Sequence, residues 1–175
     1  MPIEIERKFL LANDGWRAVA HASVVMAQGY LNAVGAVAGG DTLASVRVRI
    51  AGAEAFLNIK SRESGVRRQE FEYAIPVGEA RALLALCVGG RVEKTRHYVN
   101  HQGHLWEVDE FSGANAGLMV AEIELQREDE PFDRPDWLGA EVTMLPRYYN
   151  VALASHPYAQ WCAEERNAVD STQGS

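Results

Sequence analysis

Polar and apolar residues alternate with a period of two through most of the chain. Such alternation is typical of β-strands that have one face in an apolar environment. It predicts eight strands, at about residues 3–9, 26–32, 43–51, 54–61, 68–75, 92–100, 104–111 and 118–127. Tight turns at residues 51–53 and 102–103 join neighbouring strands as hairpins, which predicts an antiparallel sheet. Eight such strands are enough to close a barrel around one small ligand.

Three helical patterns interrupt the strands. They cover about residues 14–25, 76–86 and 147–163, with a break in the last one at Pro157. Residues 33–41 are mostly Gly, Ala and Val and predict an exposed loop. We expect a single domain over residues 1–163, followed by a flexible polar tail over residues 164–175.

The polar faces of the predicted strands carry charges that are mostly of one sign. The groups that share a face are Glu4/Glu6/Lys8, Arg47/Arg49, Asn58/Lys60, Arg68/Glu70/Glu72, Lys94/Arg96, Glu107/Asp109 and Glu122/Glu124. For any single strand, a solvated outer face is the simplest interpretation. Across the whole set, a solvated face would mix signs, because like charges at neighbouring sheet positions repel each other.

The alternative is that these charges line the interior of the barrel. The opposite faces of the same strands are largely apolar, and three helical segments are available to cover them from outside. We therefore predict an α+β fold, in which a closed eight-stranded antiparallel β-barrel forms a tunnel with a charged lumen and is covered outside by helices.

A lumen with segregated charges is suited to a polyanion and its metal. Arg guanidinium groups bind phosphate oxygens in pairs, while Lys ammonium groups act as point charges. Carboxylates on the remaining wall would hold Mg²⁺ or Mn²⁺, which prefer oxygen ligands. Phosphoryl transfer requires mainly positioning and charge neutralisation, so no Ser or Cys nucleophile is needed.

The composition of the chain argues against several classes of binding partner. A net charge of -7 and a pI near 5.2 argue against nucleic-acid binding, which requires a basic surface. No apolar stretch approaches the roughly 20 residues of a membrane span, and the N-terminus lacks an apolar signal-peptide core. We expect a cytosolic protein with no membrane association, whose two cysteines, Cys87 and Cys162, are reduced. The sequence leaves a homodimer open.

The charged groups together resemble the CYTH family, also called the triphosphate tunnel metalloenzymes. The run Glu4-x-Glu6-x-Lys8 matches the ExExK hallmark of that family. Further matches follow in the family's order over about residues 1–153: Gln28-Gly29-Tyr30-Leu31, Arg47-Val-Arg49, Lys60, Arg68-x-Glu70-x-Glu72, Lys94-Thr-Arg96, Glu107-Val-Asp109, Glu122-x-Glu124, Glu141-Val-Thr143 and Arg147-Tyr148-Tyr149-Asn150. The resemblance implies an eight-stranded tunnel that binds a triphosphate together with a divalent metal.

The resemblance also implies roles for individual residues. Phosphate oxygens would be bound by Lys8, Arg47, Arg49, Lys60, Lys94 and Arg96, and the metal by Glu4, Glu6, Glu70, Glu72, Asp109, Glu122 and Glu124. The predicted catalytic residues are Glu4, Glu6, Lys8 and Tyr30. Arg68 and Glu107 share these faces and rank lower, because each has neighbours with which it can pair. Tyr30 either orients a water or phosphate through its hydroxyl or packs in the barrel wall. Arg147 either reaches over the tunnel mouth to substrate or forms a structural ion pair.

Members of the family include inorganic triphosphatases, thiamine triphosphatases, class IV adenylate cyclases and RNA triphosphatases. The compact chain resembles the bacterial inorganic triphosphatases most, and it shows no clear binding group for adenine or a thiamine ring. We predict a metal-dependent hydrolase that cleaves a terminal phosphoanhydride bond of tripolyphosphate, giving pyrophosphate and phosphate. The alternatives are a class IV-type adenylate cyclase, a thiamine triphosphatase and, from another class, a non-catalytic triphosphate- or nucleotide-binding module.

Overall fold

The structure, a computed structural model, describes residues 3–32, 43–61 and 67–167. Its strands are β1 (Ile3–Leu11), β2 (Ala22–Tyr30), β3 (Ala44–Ala51), β4 (Glu54–Ser61), β5 (Arg67–Ala74), β6 (Val88–His101), β7 (His104–Ser112), β8 (Met119–Glu124) and β9 (Leu138–Glu141). Its α-helices are α1 (Val77–Ala85), α2 (Asn150–Ser155) and α3 (Ala163–Asn167). Short 3₁₀ turns cover Gly15–Ala18, Gly113–Asn115, Pro146–Tyr148 and Tyr158–Gln160.

Eight of the strands close into an antiparallel barrel. Hydrogen-bonded neighbours follow the order β5-β4-β3-β2-β6-β7-β8-β1. The first residues of β1 then pair with β5, where Glu4 lies opposite Arg68, and this pairing completes the circle. The closed eight-stranded barrel predicted from the alternation is confirmed.

The ninth strand was not predicted. β9 pairs with the end of β1, where Phe9 lies opposite Glu141 and Leu11 opposite Leu138. β1 thus pairs with β5 at its start and with β9 at its end. β9 is only four residues long, Leu138-Gly-Ala-Glu141, and is too short and too poor in β-branched residues to give a strand pattern of its own.

Apolar side chains cover the outside of the barrel, and charged ones fill the lumen. On β7, the outward-facing Trp106 and Val108 are fully buried in an apolar cluster with Trp16 and Trp137. On β3 and β4, Val48 and Ala55 pack against Ala80 and Leu84 of α1. A third cluster places Leu153 of α2 and Trp161 against strand residues that include Val92 and Val120. The helices therefore lie outside the sheet, as predicted.

The predicted helix over residues 14–25 is wrong. Only the 3₁₀ turn Gly15–Ala18 is helical, and the residues from Ala22 onward belong to β2. There Ser23 lies opposite His97 and Val25 opposite Thr95 of β6. The β-branched pair at the end of the predicted helix suits a strand, and β6 supplies the ladder hydrogen bonds. Trp16 still covers the barrel wall, with no exposed surface.

The remaining differences lie at element ends. β6 begins at Val88 rather than near residue 92, and β8 ends at Glu124 rather than near residue 127. The helical region predicted over 147–163 is divided into α2 and two 3₁₀ turns, with its break at His156 and Pro157. The first residues of the predicted tail are helical, in α3, while residues 168–175 and the predicted loop 33–41 lie outside the described residues. Cys87 and Cys162 are both free thiols.

An ion pair joins β9 to the outer side of β1. Arg7 donates from Nε and Nη2 to the two carboxylate oxygens of Glu141 at 2.8 and 2.5 Å, and the Thr143 hydroxyl donates to Glu141 Oε1 at 2.7 Å. Partial burial opposes ionisation of Glu141, but the hydrogen bonds from Arg7 and Thr143 hold its pKa below the ordinary value. The Glu141 carboxylate therefore stabilises the fold when it is ionised.

The sign of this shift predicts a pH dependence. A lowered folded-state pKa gives stability that is present above the unfolded-state pKa of about 4.3 and is lost as the pH falls through the folded-state pKa. We expect Glu141→Gln to reduce the free energy of unfolding by about 1 kcal/mol near neutral pH. The difference from wild type should shrink as the pH is lowered below about 4. Urea unfolding of both proteins across this range measures it, and a difference that stays constant with pH would contradict the assignment.

Candidate active site

The lumen holds an open cavity of about 210 Å³. Every strand of the barrel contributes to its lining, and the start of α2 contributes too. The predicted site residues that line it are Glu4, Glu6, Lys8, Tyr30, Arg47, Arg49, Lys60, Glu70, Arg96, Glu122 and Glu124. The predicted site residues that do not line it are Glu72, Lys94, Asp109 and Arg147. The alternation along the strands therefore correctly predicted that most of these residues line one cavity.

Lys8 lies between two carboxylates on the lumen wall. Its ammonium group is 2.6 Å from Glu6 Oε1 and also donates to Glu122 Oε1 of the neighbouring strand. Burial opposes the charge on Lys8, but Glu122 and Glu6 together raise its pKa above the ordinary value. Burial likewise opposes ionisation of Glu122, yet Lys8 and Arg96 hold its pKa well below the usual range. Lys8 and Glu122 are therefore both charged throughout the neutral range.

Arg96 is the centre of a buried charge network. Its Nε and Nη2 donate to the two oxygens of Asp109 at 2.7 Å each, and Nη2 also donates to Glu122 at 2.7 Å. A further donor, Nη1, contacts Glu107. Asp109 has no exposed surface and also accepts from Lys94, so its oxygens are occupied by two cations beneath the cavity lining. This geometry makes Asp109 a support for Arg96 and Lys94.

Lys94 connects the same network to the C-terminal segment. Burial and the neighbouring Arg96 charge lower the pKa of Lys94 to about 8, although Asp109 opposes the shift. The Lys94 ammonium is 3.4 Å from Asn150 Oδ1, and Asn150 itself lines the cavity. Lys94 therefore does not reach the lumen surface itself. It contacts Asn150, which does.

The wall formed by β3, β4 and β5 carries a second set of ion pairs. Lys60 donates to both oxygens of Glu4 at 3.0 and 2.7 Å, and it lies 3.4 Å from Glu70. Glu70 is also 3.5 Å from Arg47. These contacts join β1 to the sheet at the point where the barrel closes.

Glu72 lies near one end of this wall. Asn58 donates to Glu72 at 2.6 Å, and Arg49 donates to it at 2.7 Å. The Glu72 side chain is 42% exposed, in contrast to the buried carboxylates at the centre of the lumen. The alternation predicted which face of the strand carries Glu72, but it did not predict the position of Glu72 along the tunnel.

The carboxylates around Glu124 fit a divalent cation. Glu124 lies opposite Glu6 in the β1–β8 pair and makes no hydrogen bond or ion pair with any described residue. Partial burial and the charges of Glu4, Glu6 and Glu70 raise the pKa of Glu124. Surplus carboxylate oxygens in one place are the ligands that Mg²⁺ and Mn²⁺ prefer.

The same carboxylates do not form a finished chelate. Within residues 3–32, 43–61 and 67–167, no three acidic, His or Cys side chains are already grouped to hold a metal. Glu4 and Glu6 pair instead with Lys60 and Lys8. A metal would therefore compete with these ammonium groups, and a bound polyanion would draw the ammonium groups towards itself.

Tyr30 packs in the barrel wall and also lines the cavity. The residue is 3% exposed and packs in the apolar cluster that contains Val92. Its hydroxyl lines the cavity side, 3.4 Å from Gln28 Nε2. Burial raises the pKa of Tyr30, against the opposing charges of Arg47 and Lys8. The hydroxyl is therefore protonated at neutral pH and can donate to a phosphate oxygen.

Arg147 lies away from the lumen. Its guanidinium group packs over the rings of Tyr148 and Trp161, at 5.2 and 5.7 Å from their centroids. It forms no ion pair with any residue that the structure describes. The two sequence interpretations placed Arg147 over the tunnel mouth or in a salt bridge, and it occupies neither position.

Several cavity residues were missed or ranked low. They are Ser45, Arg68, Glu107, Tyr149, Asn150 and Val151. Ser45 lies on the same face of its strand as Arg47 and Arg49, so the alternation could have identified it as a lumen residue. Tyr149–Val151 come from the C-terminal segment, whose path across the lumen cannot be read from local sequence.

The comparisons with known proteins agree with this geometry. A family model described as the CYTH domain matches residues 2–153. The chain belongs to the CYTH family. A CYTH relative named inorganic triphosphatase, from Acetivibrio thermocellus, is 44% identical over 156 residues, which cover 89% of this chain and 95% of the relative. Another of the same name, from Nitrosomonas europaea, is 42% identical over 156 residues, covering 86% and 96%.

Solved structures share the fold. The crystal structure of an inorganic triphosphatase superposes with a TM-score of 0.62 at 39% identity, covering 88% of this chain and 95% of the other. A structure from Bacillus halodurans has a TM-score of 0.53 at 14% identity, a likeness that shows the fold alone. CYTH triphosphate tunnel metalloenzymes depend on a divalent metal ion. None of the helices in the described part of this CYTH chain is long and apolar enough to cross a membrane.

Proposed function

We propose that this CYTH protein is a divalent-metal-dependent triphosphatase that hydrolyses tripolyphosphate to pyrophosphate and phosphate. One observation carries the proposal: a single lumen brings cationic side chains from most of its strands together with Glu124, whose carboxylate lies near Glu4, Glu6 and Glu70 and pairs with no cation of the described residues. The names of the two relatives, which this chain covers almost completely, support the same activity.

The cationic side chains would bind and orient the phosphate chain. Arg47 and Arg49 lie side by side on β3, and their planar guanidinium groups match pairs of phosphate oxygens. Lys8 is fixed between Glu6 and Glu122, so its charge is already in place when negative charge develops on the phosphoryl oxygens. The Tyr30 hydroxyl would donate a further hydrogen bond to the phosphate chain.

The carboxylates would hold Mg²⁺ or Mn²⁺. Glu124 and its neighbours Glu4, Glu6 and Glu70 would supply the oxygen ligands, with water completing the coordination. The metal would polarise phosphoryl oxygens and activate water for in-line attack on a terminal phosphorus. Glu72 and Asp109 would act indirectly because they do not line the cavity, and Glu122 because each of its two oxygens is held by a different cation.

A substrate panel tests the proposed function. Phosphate release is compared for tripolyphosphate, ATP, thiamine triphosphate and pyrophosphate, each with Mg²⁺ and with excess EDTA. We expect kcat/KM for tripolyphosphate to exceed that for ATP by at least about tenfold, because the described lining of the lumen is mainly charged and suits a phosphate chain. Turnover that is equal across the panel, or independent of metal, would contradict the proposal.

The same panel separates the alternatives. Cyclic AMP and pyrophosphate from ATP would identify an adenylate cyclase, and preferred cleavage of thiamine triphosphate would identify a thiamine triphosphatase. Stabilisation against heat by tripolyphosphate without turnover would identify a binding module. We also propose a cytosolic location and no nucleic-acid partner, since both cysteines are free and the net charge is -7.

A further inference from the structure

Arg68 differs from the other cations of the lumen. Each of the others that lines the cavity is within 3.5 Å of at least one carboxylate. The Arg68 side chain forms no ion pair or hydrogen bond with any described residue, although Arg68 lies opposite Glu4 where the barrel closes. It lines the cavity, so its charge faces the lumen.

An aromatic ring holds the Arg68 side chain. The guanidinium carbon lies 4.8 Å from the centroid of the Tyr149 ring, and both residues line the cavity. A guanidinium group stacked on an aromatic ring uses its flat face, while its five N–H donors point outward in the plane. Stacking therefore fixes the position of Arg68 and leaves its donors available.

Tyr149 is itself anchored to the strand that carries Lys8. Its hydroxyl donates to the Thr143 carbonyl oxygen at 2.7 Å. The Thr143 hydroxyl in turn accepts from the Lys8 backbone N–H at 3.0 Å. The ring has a defined position relative to the central ammonium of the lumen, so Arg68 has one as well.

We propose that Tyr149 is a positioning residue that holds the Arg68 guanidinium in the lumen as a binding group for a terminal phosphate of the substrate. The inference rests on the proposed function. A terminal phosphate has three non-bridging oxygens and the highest charge in the chain, which suits a planar donor group without a carboxylate partner. Tyr149 does not touch the substrate in this arrangement and acts through Arg68.

Steady-state kinetics of tripolyphosphate hydrolysis test this role. We expect Arg68→Ala and Tyr149→Leu each to raise KM about tenfold while kcat changes by less than about twofold, since a ground-state phosphate contact is lost. Tyr149→Phe keeps the ring but loses the hydroxyl that anchors it to Thr143, so its KM should lie between those of the wild type and Tyr149→Leu. The double variant Arg68→Ala/Tyr149→Leu should be no worse than Arg68→Ala, because the two residues act as one unit.

Arg166 provides the matched control. It stacks over Tyr158 at 4.4 Å, outside the cavity, so Arg166→Ala removes a similar stack and should leave KM unchanged. Additive effects of Arg68→Ala and Tyr149→Leu, or a Tyr149→Leu variant with wild-type KM, would overturn the proposal. Arg68→Lys keeps the charge without the planar stack and is expected to give a raised KM even if Tyr149→Leu is too unstable to assay.

A binding measurement separates this inference from the proposed function. Thermal unfolding is followed with and without tripolyphosphate in EDTA, where no turnover occurs. We expect tripolyphosphate to stabilise the wild type and Arg166→Ala equally, and Arg68→Ala and Tyr149→Leu clearly less. If the wild type binds but never hydrolyses, the proposed function fails and the role of Arg68 still stands. If all four proteins gain the same stability, the role of Arg68 is wrong even where hydrolysis is observed.

Discussion

Replacing Lys8 with methionine is expected to lower kcat/KM for tripolyphosphate by about 10³-fold. The Lys8 side chain is 4% exposed and its ammonium group is fixed between Glu6 and Glu122, so its charge acts at short range in a site largely shielded from water. A preoriented charge of this kind stabilises the transition state without reorganisation. Phosphate release from tripolyphosphate measures the effect.

The variant also removes part of a buried charge network. Glu122 would keep Arg96 as its partner, but Glu6 would lose its ammonium contact. Breaking a buried pair typically costs about 3–5 kcal/mol, so the free energy of unfolding has to be measured beside the activity. Arg7→Met is the matched control, since Arg7 is the preceding residue, faces outward and pairs with Glu141. It should lose stability while kcat/KM stays within about twofold of wild type. A Lys8→Met protein with near-normal turnover would show that this charge is not used.

Replacing Glu124 with glutamine is expected to have opposite effects on activity and stability. Turnover should fall by about 10²-fold or more, with a higher Mg²⁺ concentration needed for half-maximal rate, because a metal ligand is lost. The metal-free protein should become equally or more stable. Partial burial and the charges of Glu4, Glu6 and Glu70 raise the pKa of Glu124, so the ionised form of this carboxylate opposes folding.

The stability change in this variant is small and has a defined sign. A raised folded-state pKa means that the native protein holds its proton more tightly, so stability falls as the pH rises through the interval between the unfolded and folded pKa values. Urea unfolding in EDTA should show this loss in wild type and not in Glu124→Gln. Glu128→Gln, in the exposed segment after β8, is the control for loss of an acidic charge. Reduced stability of Glu124→Gln in EDTA would contradict the metal-site assignment.

The sequence was sufficient to predict the barrel and its charged interior. Strand alternation identifies which residues share a face, and the segregation of charge identifies that face as the lumen. The prediction of a helix over residues 14–25 was wrong because tertiary pairing decided the structure of this segment. Its residues after Ala22 carry little charge and no strict alternation, so the ladder to β6, a tertiary effect, decided their structure.

The sequence could not predict how deeply each side chain lies in the wall of the lumen. Glu107 and Asp109 have the same parity, but Glu107 lines the cavity and Asp109 lies beneath it between Lys94 and Arg96. The alternation assigns each side chain to one face of its strand. It predicts neither the position of that side chain along the tunnel nor the residue with which it pairs. The contribution of Tyr149 was missed for a related reason, because it depends on where a segment without regular alternation folds back over the barrel.

The rate of phosphate release from tripolyphosphate, measured as Mg²⁺ is titrated against EDTA, tests the central claim most directly. With excess EDTA, we expect no release above background. As free Mg²⁺ rises, the rate should increase and saturate, with phosphate and pyrophosphate formed in equal amounts. Release that is undiminished by EDTA, or absent at every concentration of Mg²⁺ and Mn²⁺, would contradict the assignment of the lumen as a metal-dependent triphosphatase site.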